Sequence, residues 1–188
     1  MEVAMAPRDE ASSDGAGTQS SGAAIGTVKT LTGGAVARHG DGTQVTLHKG
    51  DSIFEGDVLV TESGGAVGVV LADGTSLSLG EKGRLALNDY AYDAKSHSGD
   101  AHLSLESGSF ALVSGQIAKT APDAFALKTP TMTIGVRGTG VAGNPSSVAL
   151  MGERGGVAGE VVITTPGGQT ATLNSVGAAA TVGSGGLS

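Results

Sequence analysis

The chain of 188 residues contains no cysteine and no tryptophan, and its aromatic residues are limited to three Phe and two Tyr. The absence of cysteine excludes a disulfide framework, a zinc–thiolate site and a thiol nucleophile. The shortage of Trp and Tyr removes the usual platform on which proteins stack sugars. With so few aromatic side chains, the core has to be built from Val, Leu, Ile and Ala, which suits closely packed short strands.

Positive charge is also scarce. The chain has 11 Lys and Arg against 18 Asp and Glu, a formal net charge of −7, and the basic residues form no cluster. Both facts argue against nucleic acid or an anionic membrane surface as a partner. Because no segment approaches the roughly 20 apolar residues of a membrane span, no membrane insertion is expected.

The two ends of the chain differ from its middle. Residues 1–24 are mostly Ser, Gly, Ala, Asp and Glu without apolar periodicity, so we expect a disordered leader. The leader lacks the basic start and apolar segment of a signal peptide, so no export route is visible. Residues 183–188 are expected to be a frayed tail, which leaves residues 25–182 as one domain.

Glycine is abundant, with 33 residues, whereas proline is limited to five, so glycine here marks turns. From residue 25 onward, short runs of alternating apolar residues are separated by such turns. The clearest hairpin joins residues 66–71 to residues 75–79 around Asp73-Gly74. With no convincing helical segment, the pattern predicts an all-β domain of many short strands, either a twisted β-roll or an irregular β-solenoid or sandwich.

One stretch, residues 129–141, places a single arginine at a glycine-rich corner. Met132, Ile134 and Val136 fall at every second position, which predicts one buried face of a strand that ends at Arg137. The five-donor guanidinium is suited to a structural role, a fork onto a carboxylate or onto free carbonyls, and we favour that interpretation. The alternative is a contact with a ligand or a partner.

Two further corners carry aspartate. Gly50-Asp51 and Gly56-Asp57 each lead into an apolar run, and Asp at such a corner usually accepts backbone N–H groups. Capping is therefore the favoured interpretation. A cation site is the alternative, although two carboxylates are few beside the six to eight oxygens that calcium prefers.

No residues form a catalytic constellation. The four histidines (His39, His48, His97 and His102) are far apart and are expected to be solvated. Three aspartates (Asp89, Asp93 and Asp100) share a predicted polar loop, residues 88–100, but lack the spacing of a calcium loop. We therefore predict no catalytic residue, no cofactor, no metal site and no enzymatic activity.

In order and spacing, these motifs resemble the FecR-like domain family, in the branch found near the start of large exported or surface bacterial proteins. The resemblance spans roughly residues 25–182. Its motif residues, which serve a partner contact or the fold, are Gly50, Asp51, Gly56, Asp57, Thr61, Asp73, Gly74, Thr129, Pro130, Val136, Arg137, Gly138 and Thr139.

The resemblance implies a non-catalytic, periplasmic or extracellular β module for signal sensing or protein interaction. The founding group of the family takes a signal from an outer-membrane transporter and controls a sigma factor in iron uptake. The implied partner is such a transporter, a sigma-factor regulator or a surface polypeptide. This chain departs from the founding group, because it has no membrane helix and only the leader before residue 25. We expect it to act alone or as a segment of a larger system.

Two other functions stay open. The chain is alternatively a structural module of a secreted or adhesin-like surface protein without a signalling role, and an enzyme or small-ligand carrier ranks last. A partner-binding module should expose an apolar patch or an unpaired strand edge near Arg137. A spacer should have a uniformly polar surface, and a carrier should have a deep pocket.

Overall fold

A computed structural model describes residues 22–152 and 159–188. These residues form 18 strands, one short α-helix and one 3-10 turn, so the predicted all-β class is confirmed. Most of the predicted leader, residues 1–21, lies outside the described residues.

The strands are short and follow one another closely. In chain order they are β1 (Ala24–Thr32), β2 (Ala35–Arg38), β3 (Gln44–Thr46), β4 (Ser52–Phe54), β5 (Val58–Thr61), β6 (Ala66–Leu71), β7 (Ser76–Leu79), β8 (Arg84–Asp93), β9 (Ser98–Ser107), β10 (Phe110–Val113), β11 (Phe125–Lys128), β12 (Thr133–Arg137), β13 (Gly140–Asn144), β14 (Ser147–Met151), β15 (Glu160–Thr164), β16 (Thr170–Leu173), β17 (Ala179–Gly183) and β18 (Gly186–Leu187). Helix α1 (Gln116–Thr120) and the 3-10 turn Pro122–Ala124 lie between β10 and β11.

The strands form two nine-stranded sheets. Sheet I has the order β4-β1-β6-β7-β10-β13-β14-β17-β18, and sheet II has the order β3-β2-β5-β8-β9-β11-β12-β15-β16. In both sheets the order largely follows the chain, and the chain passes to the other sheet after every one or two strands. The neighbours β9 and β11 are parallel. The fold thus winds progressively from one end of the molecule to the other.

One hydrophobic core receives side chains from both sheets. Leucines at alternate positions supply much of it, such as Leu77 and Leu79 from sheet I and Leu85 and Leu87 from sheet II, all of which are buried. The period-two alternation that predicts strands therefore also points each strand toward the core. Burying each such side chain stabilises the fold by roughly 1.5–3 kcal/mol.

The polar loop predicted for residues 88–100 is wrong, because these residues belong to the long hairpin of β8 and β9. Tyr90 and Ala101 are buried in this hairpin, while the charged residues alternate with them. The turn is closed by Asp93, whose Oδ1 accepts the N–H of Lys95 at 2.8 Å. Hydrogen bonds from Lys95 and Ser96 lower the pKa of Asp93.

The chain also contains two elements that the alternation does not predict. Helix α1 buries Ile117 and Ala118, and it connects β10 in sheet I to β11 in sheet II. Its five residues are too few for a helical period to show in the sequence. In the segment where we predict a frayed tail, β18 pairs with β17, with Leu187 opposite Val182.

Candidate functional site

The motif residues lie where the chain crosses between the sheets or turns within one. At the second and third crossings, from β3 to β4 and from β4 to β5, Asp51 accepts the N–H of His48 at 2.7 Å and Asp57 accepts the N–H of Phe54 at 2.8 Å. Gly50 and Gly56 precede them with φ values of 100° and 81°, a backbone region that favours glycine. Both aspartates therefore cap their corners in the predicted way.

Asp57 also holds a histidine. Its Oδ1 lies 2.7 Å from Nδ1 of His39, and both side chains are buried. The ring of His39 contacts Phe54 edge-on, with 5.9 Å between the ring centroids. The prediction of a solvated histidine is thus wrong for His39, because the turn between β2 and β3 folds back over the corner of Asp57.

Thr61 joins sheet II to the next turn. Its hydroxyl accepts the N–H of Gly83 at 2.8 Å and donates to the carbonyl of Gly80 at 2.5 Å. Because Gly80 and Gly83 flank the turn between β7 and β8, this buried hydroxyl fixes the crossing from sheet I to sheet II.

Asp73 is the centre of a buried polar network in the β6–β7 turn. It accepts the N–H of Thr75 at 3.0 Å and the hydroxyl of Thr75 at 2.8 Å. The hydroxyl of Tyr90 accepts the N–H of Asp73 at 2.8 Å and lies 3.2 Å from its Oδ1. The pKa of Tyr90 lies far above its ordinary value, and burial is the main cause. Gly74 takes φ 86° to complete the turn.

The same turn anchors the start of α1. The carbonyl of Asp73 accepts the N–H of Gln116 at 2.9 Å, and its Oδ2 lies 3.4 Å from the N of Ile117. The hydroxyl of Thr75 accepts the N–H of Gly115 at 3.0 Å. A Cβ on Gly115 would lie only 2.5 Å from the carbonyl oxygen of Asp73, so this position requires glycine.

Thr129 and Pro130 form the turn between β11 and β12. The hydroxyl of Thr129 donates to the carbonyl of Pro145 at 2.7 Å and accepts the N–H of Met132 at 3.0 Å. Since Pro145 lies in the turn between β13 and β14, Thr129 ties sheet II to sheet I. Pro130 is exposed at the tip of its turn.

Arg137 forks onto two carboxylates at the end of β12. Its Nη1 lies 2.7 Å from Oε1 of Glu160, and its Nη2 lies 2.8 Å from Oδ1 of Asp123. The hydrogen bond to Asp123 is the main reason why the pKa of Arg137 is raised. The geometry matches the structural fork favoured above, although both carboxylates lie at the surface. Val136, the residue before it, is fully buried.

The corner formed by residues 137–139 lies beside the Asp73 network, because Thr139 bonds Ser114 and the next residue, Gly115, bonds Thr75. Gly138 takes φ 62°, and the buried Thr139 donates its N–H to Oγ of Ser114 at 2.9 Å. Ser114 returns its own N–H to the carbonyl of Thr139 at 3.1 Å. The structure therefore brings two motifs that are far apart in sequence, Asp73-Gly74 and Gly138-Thr139, to either side of the β10–α1 junction.

A cleft of about 530 Å³ opens at this junction. It is lined by Asp73, Gly74, Val113, Ser114, Gly115, Gln116, Lys119, Gly140 and Gly152. Val113 is 50% exposed, and Met151 and Val176 beside the cleft are 49% and 57% exposed. Among the described residues only one other large hydrophobic side chain, Val45, is comparably exposed. We call Val113, Met151 and Val176 the apolar rim.

Sequence reasoning missed the apolar rim, although a signal for it exists. Phe110 and Leu112 fix the inward phase of β10, so Val113 has to point outward. The same phase argument applies to Met151, which follows the inward Val148 and Leu150.

Four of the residues that line the cleft have polar side chains: Asp73, Ser114, Gln116 and Lys119. The carboxylate of Asp73 is engaged by Thr75 and Tyr90, and the cleft adds one amide and one ammonium group from α1. Across residues 22–152 and 159–188, no three His, Asp or Glu side chains converge in a way that would hold a metal ion. In the same residues, no helix has the length and apolar character needed to cross a membrane.

Comparison with known proteins adds the following findings. The model of a family described as "FecR protein" matches residues 57–158, which include the corners of Asp57, Asp73, Thr129 and Arg137. Among curated proteins, none matches the chain. A solved structure described as "Cell surface anchoring domain" is 32% identical over 34% of this chain and 83% of its own, with a TM-score of 0.33.

Proposed function

Because the chain belongs to the FecR protein family, we propose that it is a non-catalytic, extracytoplasmic module for signal sensing through contact with a protein partner. The observation that carries this proposal is the apolar rim beside the cleft, since a spacer would present a polar surface there. The partner classes are an outer-membrane transporter, a sigma-factor regulator and a surface polypeptide. The periplasm or the cell surface is the proposed location.

The apolar rim and the cleft supply complementary parts of the contact. Covering Val113, Met151 and Val176, which are half exposed, contributes roughly 1 kcal/mol for each side chain. The cleft accepts a protruding side chain of the partner, and Gln116 and Lys119 line its polar side. The corner bonds of Asp73 and Thr139 hold the cleft walls in place, which lowers the ordering cost on binding.

A pull-down from the extracytoplasmic fraction of the source organism tests this proposal with the full chain as bait. Val113→Asp places a charge in the apolar rim. The control, Val45→Asp, makes the same change at an exposed position on β3, the edge strand of sheet II. We expect the native chain and Val45→Asp to capture a transporter, regulator or surface polypeptide that Val113→Asp does not. Equal capture by all three baits, or none, contradicts the proposal.

Arg137→Ala serves as a further bait in the same experiment. Arg137 lies in β12 of sheet II and forks onto Asp123 and Glu160, whereas Val113 and Met151 of the apolar rim lie in sheet I. We expect this variant to capture the same partner as the native chain, because the guanidinium is engaged within the chain. A folded variant that loses the partner would assign Arg137 to the contact.

A further inference from the structure

The two sheets differ sharply in charge. The strands of sheet I contain one charged residue, Lys29 in β1. The strands of sheet II carry nine: Arg38, Arg84, Asp89, Asp93, Asp100, Glu106, Lys128, Arg137 and Glu160. In a chain with a net charge of −7, the outer surface of sheet I is therefore poor in charge, with the exposed Lys29 as the charged residue of its strands.

The outward side chains of sheet I form a furrow and a ridge. Seven small residues lie side by side in register across seven strands: Thr30, Gly68, Ser78, Ala111, Ala142, Ala149 and Ala179. We call this row the furrow. The next row on the same face contains Val70, Ser76, Val113, Gly140 and Met151, and its three large side chains form the ridge.

We propose that two copies of this chain pack face to face through the outer surface of sheet I. This inference rests on the proposed function, because it names a second copy as the partner of the surface that includes the apolar rim. Val113 and Met151 of the apolar rim belong to the ridge, so the apolar rim and the outer face of sheet I are continuous.

The arrangement of ridge and furrow favours a second copy over another protein. A two-fold axis places the same patch of both subunits in contact, so the patch has to be complementary to itself. A ridge that runs beside a furrow on one face meets this requirement, because the ridge of each copy fits into the furrow of the other. The small furrow residues allow the two sheets to approach to the usual spacing of about 10 Å.

Charge supports the same assignment. Two copies with a net charge of −7 repel each other, and the repulsion is weakest when the contact excludes charged groups. The face of sheet I comes close to this condition, because Lys29 is the one charged residue of its strands, whereas the face of sheet II would bring Arg137, Glu160 and Glu106 against their own counterparts.

The area of the outer face of sheet I indicates which class of interface to expect. Seven strands about 4.8 Å apart and three outward rows give roughly 30 Å by 20 Å, or about 600 Å² per copy. The total of about 1,200 Å² lies at the lower limit of specific interfaces. Interfaces of this size are typical of transient complexes, so we expect a reversible dimer that dissociates on dilution.

Sedimentation equilibrium of the full chain tests the inference. Ala111→Arg introduces a long charged side chain in the centre of the furrow, at an exposed position. His102→Arg is the matched control, because His102 is exposed on the outer face of sheet II. We expect the native chain and His102→Arg to dimerise alike, and Ala111→Arg to dimerise at least tenfold more weakly. A monomeric native chain, or equal dimerisation of all three, overturns the inference.

The absence of cysteine permits a second, direct measurement. A spin label on Ala111→Cys in the full chain should show a short distance between copies, since each furrow lies inside the interface, against the ridge of the other copy. A label on His102→Cys, on the far side of each copy, should show only much longer distances. The reverse pattern would place sheet II at the interface and overturn the inference.

These outcomes separate the inference from the proposed function. A monomeric native chain that still captures another protein through Val113 overturns the second copy as partner and leaves the proposed function intact. A dimer that is lost in Ala111→Arg, with no other protein captured, supports the inference and contradicts the proposed function as a sensor of another protein.

Discussion

The chain contains the sequence Asp-Gly-Thr twice, in two turns of the same local geometry and different burial. In both turns the aspartate accepts the N–H and the hydroxyl of the threonine, and the central glycine takes φ 87° at Gly42 and φ 86° at Gly74. Asp41 is exposed, whereas Asp73 is buried and also contacts Tyr90 and α1. The pair therefore separates the local contribution of a turn aspartate from the contribution of the network.

We predict that Asp73→Ala lowers the free energy of unfolding by about 3–5 kcal/mol. The substitution leaves the buried N–H groups of Thr75 and Ile117 and the hydroxyl of Tyr90 without their acceptor, and each such loss costs about 1–3 kcal/mol. The three losses together would cost about 3–9 kcal/mol. We expect a value in the lower part of that range, because the N···O distance to Ile117 is 3.4 Å and hydroxyls can turn to other acceptors. Asp41→Ala should cost much less, because water replaces its acceptor at the surface.

Equilibrium urea unfolding at neutral pH, followed by circular dichroism, measures both variants. A typical domain has a total stability of about 5–15 kcal/mol, so the loss in Asp73→Ala should shift the midpoint strongly. A double-mutant cycle with Tyr90→Phe should give a coupling free energy of about 0.5–3 kcal/mol between the two side chains. Equal losses in Asp73→Ala and Asp41→Ala would refute the role of the buried network.

Three further predictions concern the same end of the molecule. Because burial raises the pKa of Tyr90, the native state keeps the phenol proton above pH 10.0, where the unfolded phenol ionises. The free energy of unfolding should therefore fall as the pH rises above 10.0. Tyr90→Phe should remove this pH dependence in alkaline unfolding scans. Gly115→Ala should destabilise the chain in urea, since its Cβ meets the backbone of Asp73 and Thr75 at 2.5 Å, whereas Gly185→Ala, with open space around it, should not. Arg137→Ala should leave the urea midpoint nearly unchanged, because both of its carboxylates lie at the surface and water can replace the ion pairs.

The part of the fold that depends on local alternation could be predicted from the sequence. The hairpin predicted for residues 66–71 and 75–79 corresponds to β6 and β7 almost residue for residue, because Val67, Val69, Leu77 and Leu79 alternate on either side of an Asp-Gly turn. The distal part of the β8–β9 hairpin, residues 88–100, resembles a loop in sequence because its outward residues are polar or charged. The assignment of hairpins to two sheets depends on contacts between distant residues, which no local pattern contains.

The candidate site likewise contains local contacts that the sequence predicts and long-range contacts that it does not. The caps of Asp51 and Asp57 span three residues, so turn chemistry alone predicts them. The fork of Arg137 was favoured from its chemistry, but its partner Glu160 lies 23 residues away and could not be named. His39 was misassigned because its partner Asp57 is 18 residues away, and a single histidine gives no local sign of burial.

The structure separates the buried residues at the corners from the residues of the proposed interface. Asp57, Asp73 and Thr139 are buried at corners, so substituting them acts first on folding. Ala111 and Met151 point outward from sheet I and make no such bonds, so their replacement changes association while the corners stay intact. A loss of binding in a corner variant therefore has to be corrected for its unfolded fraction, whereas a loss in an outward variant reports on the interface directly.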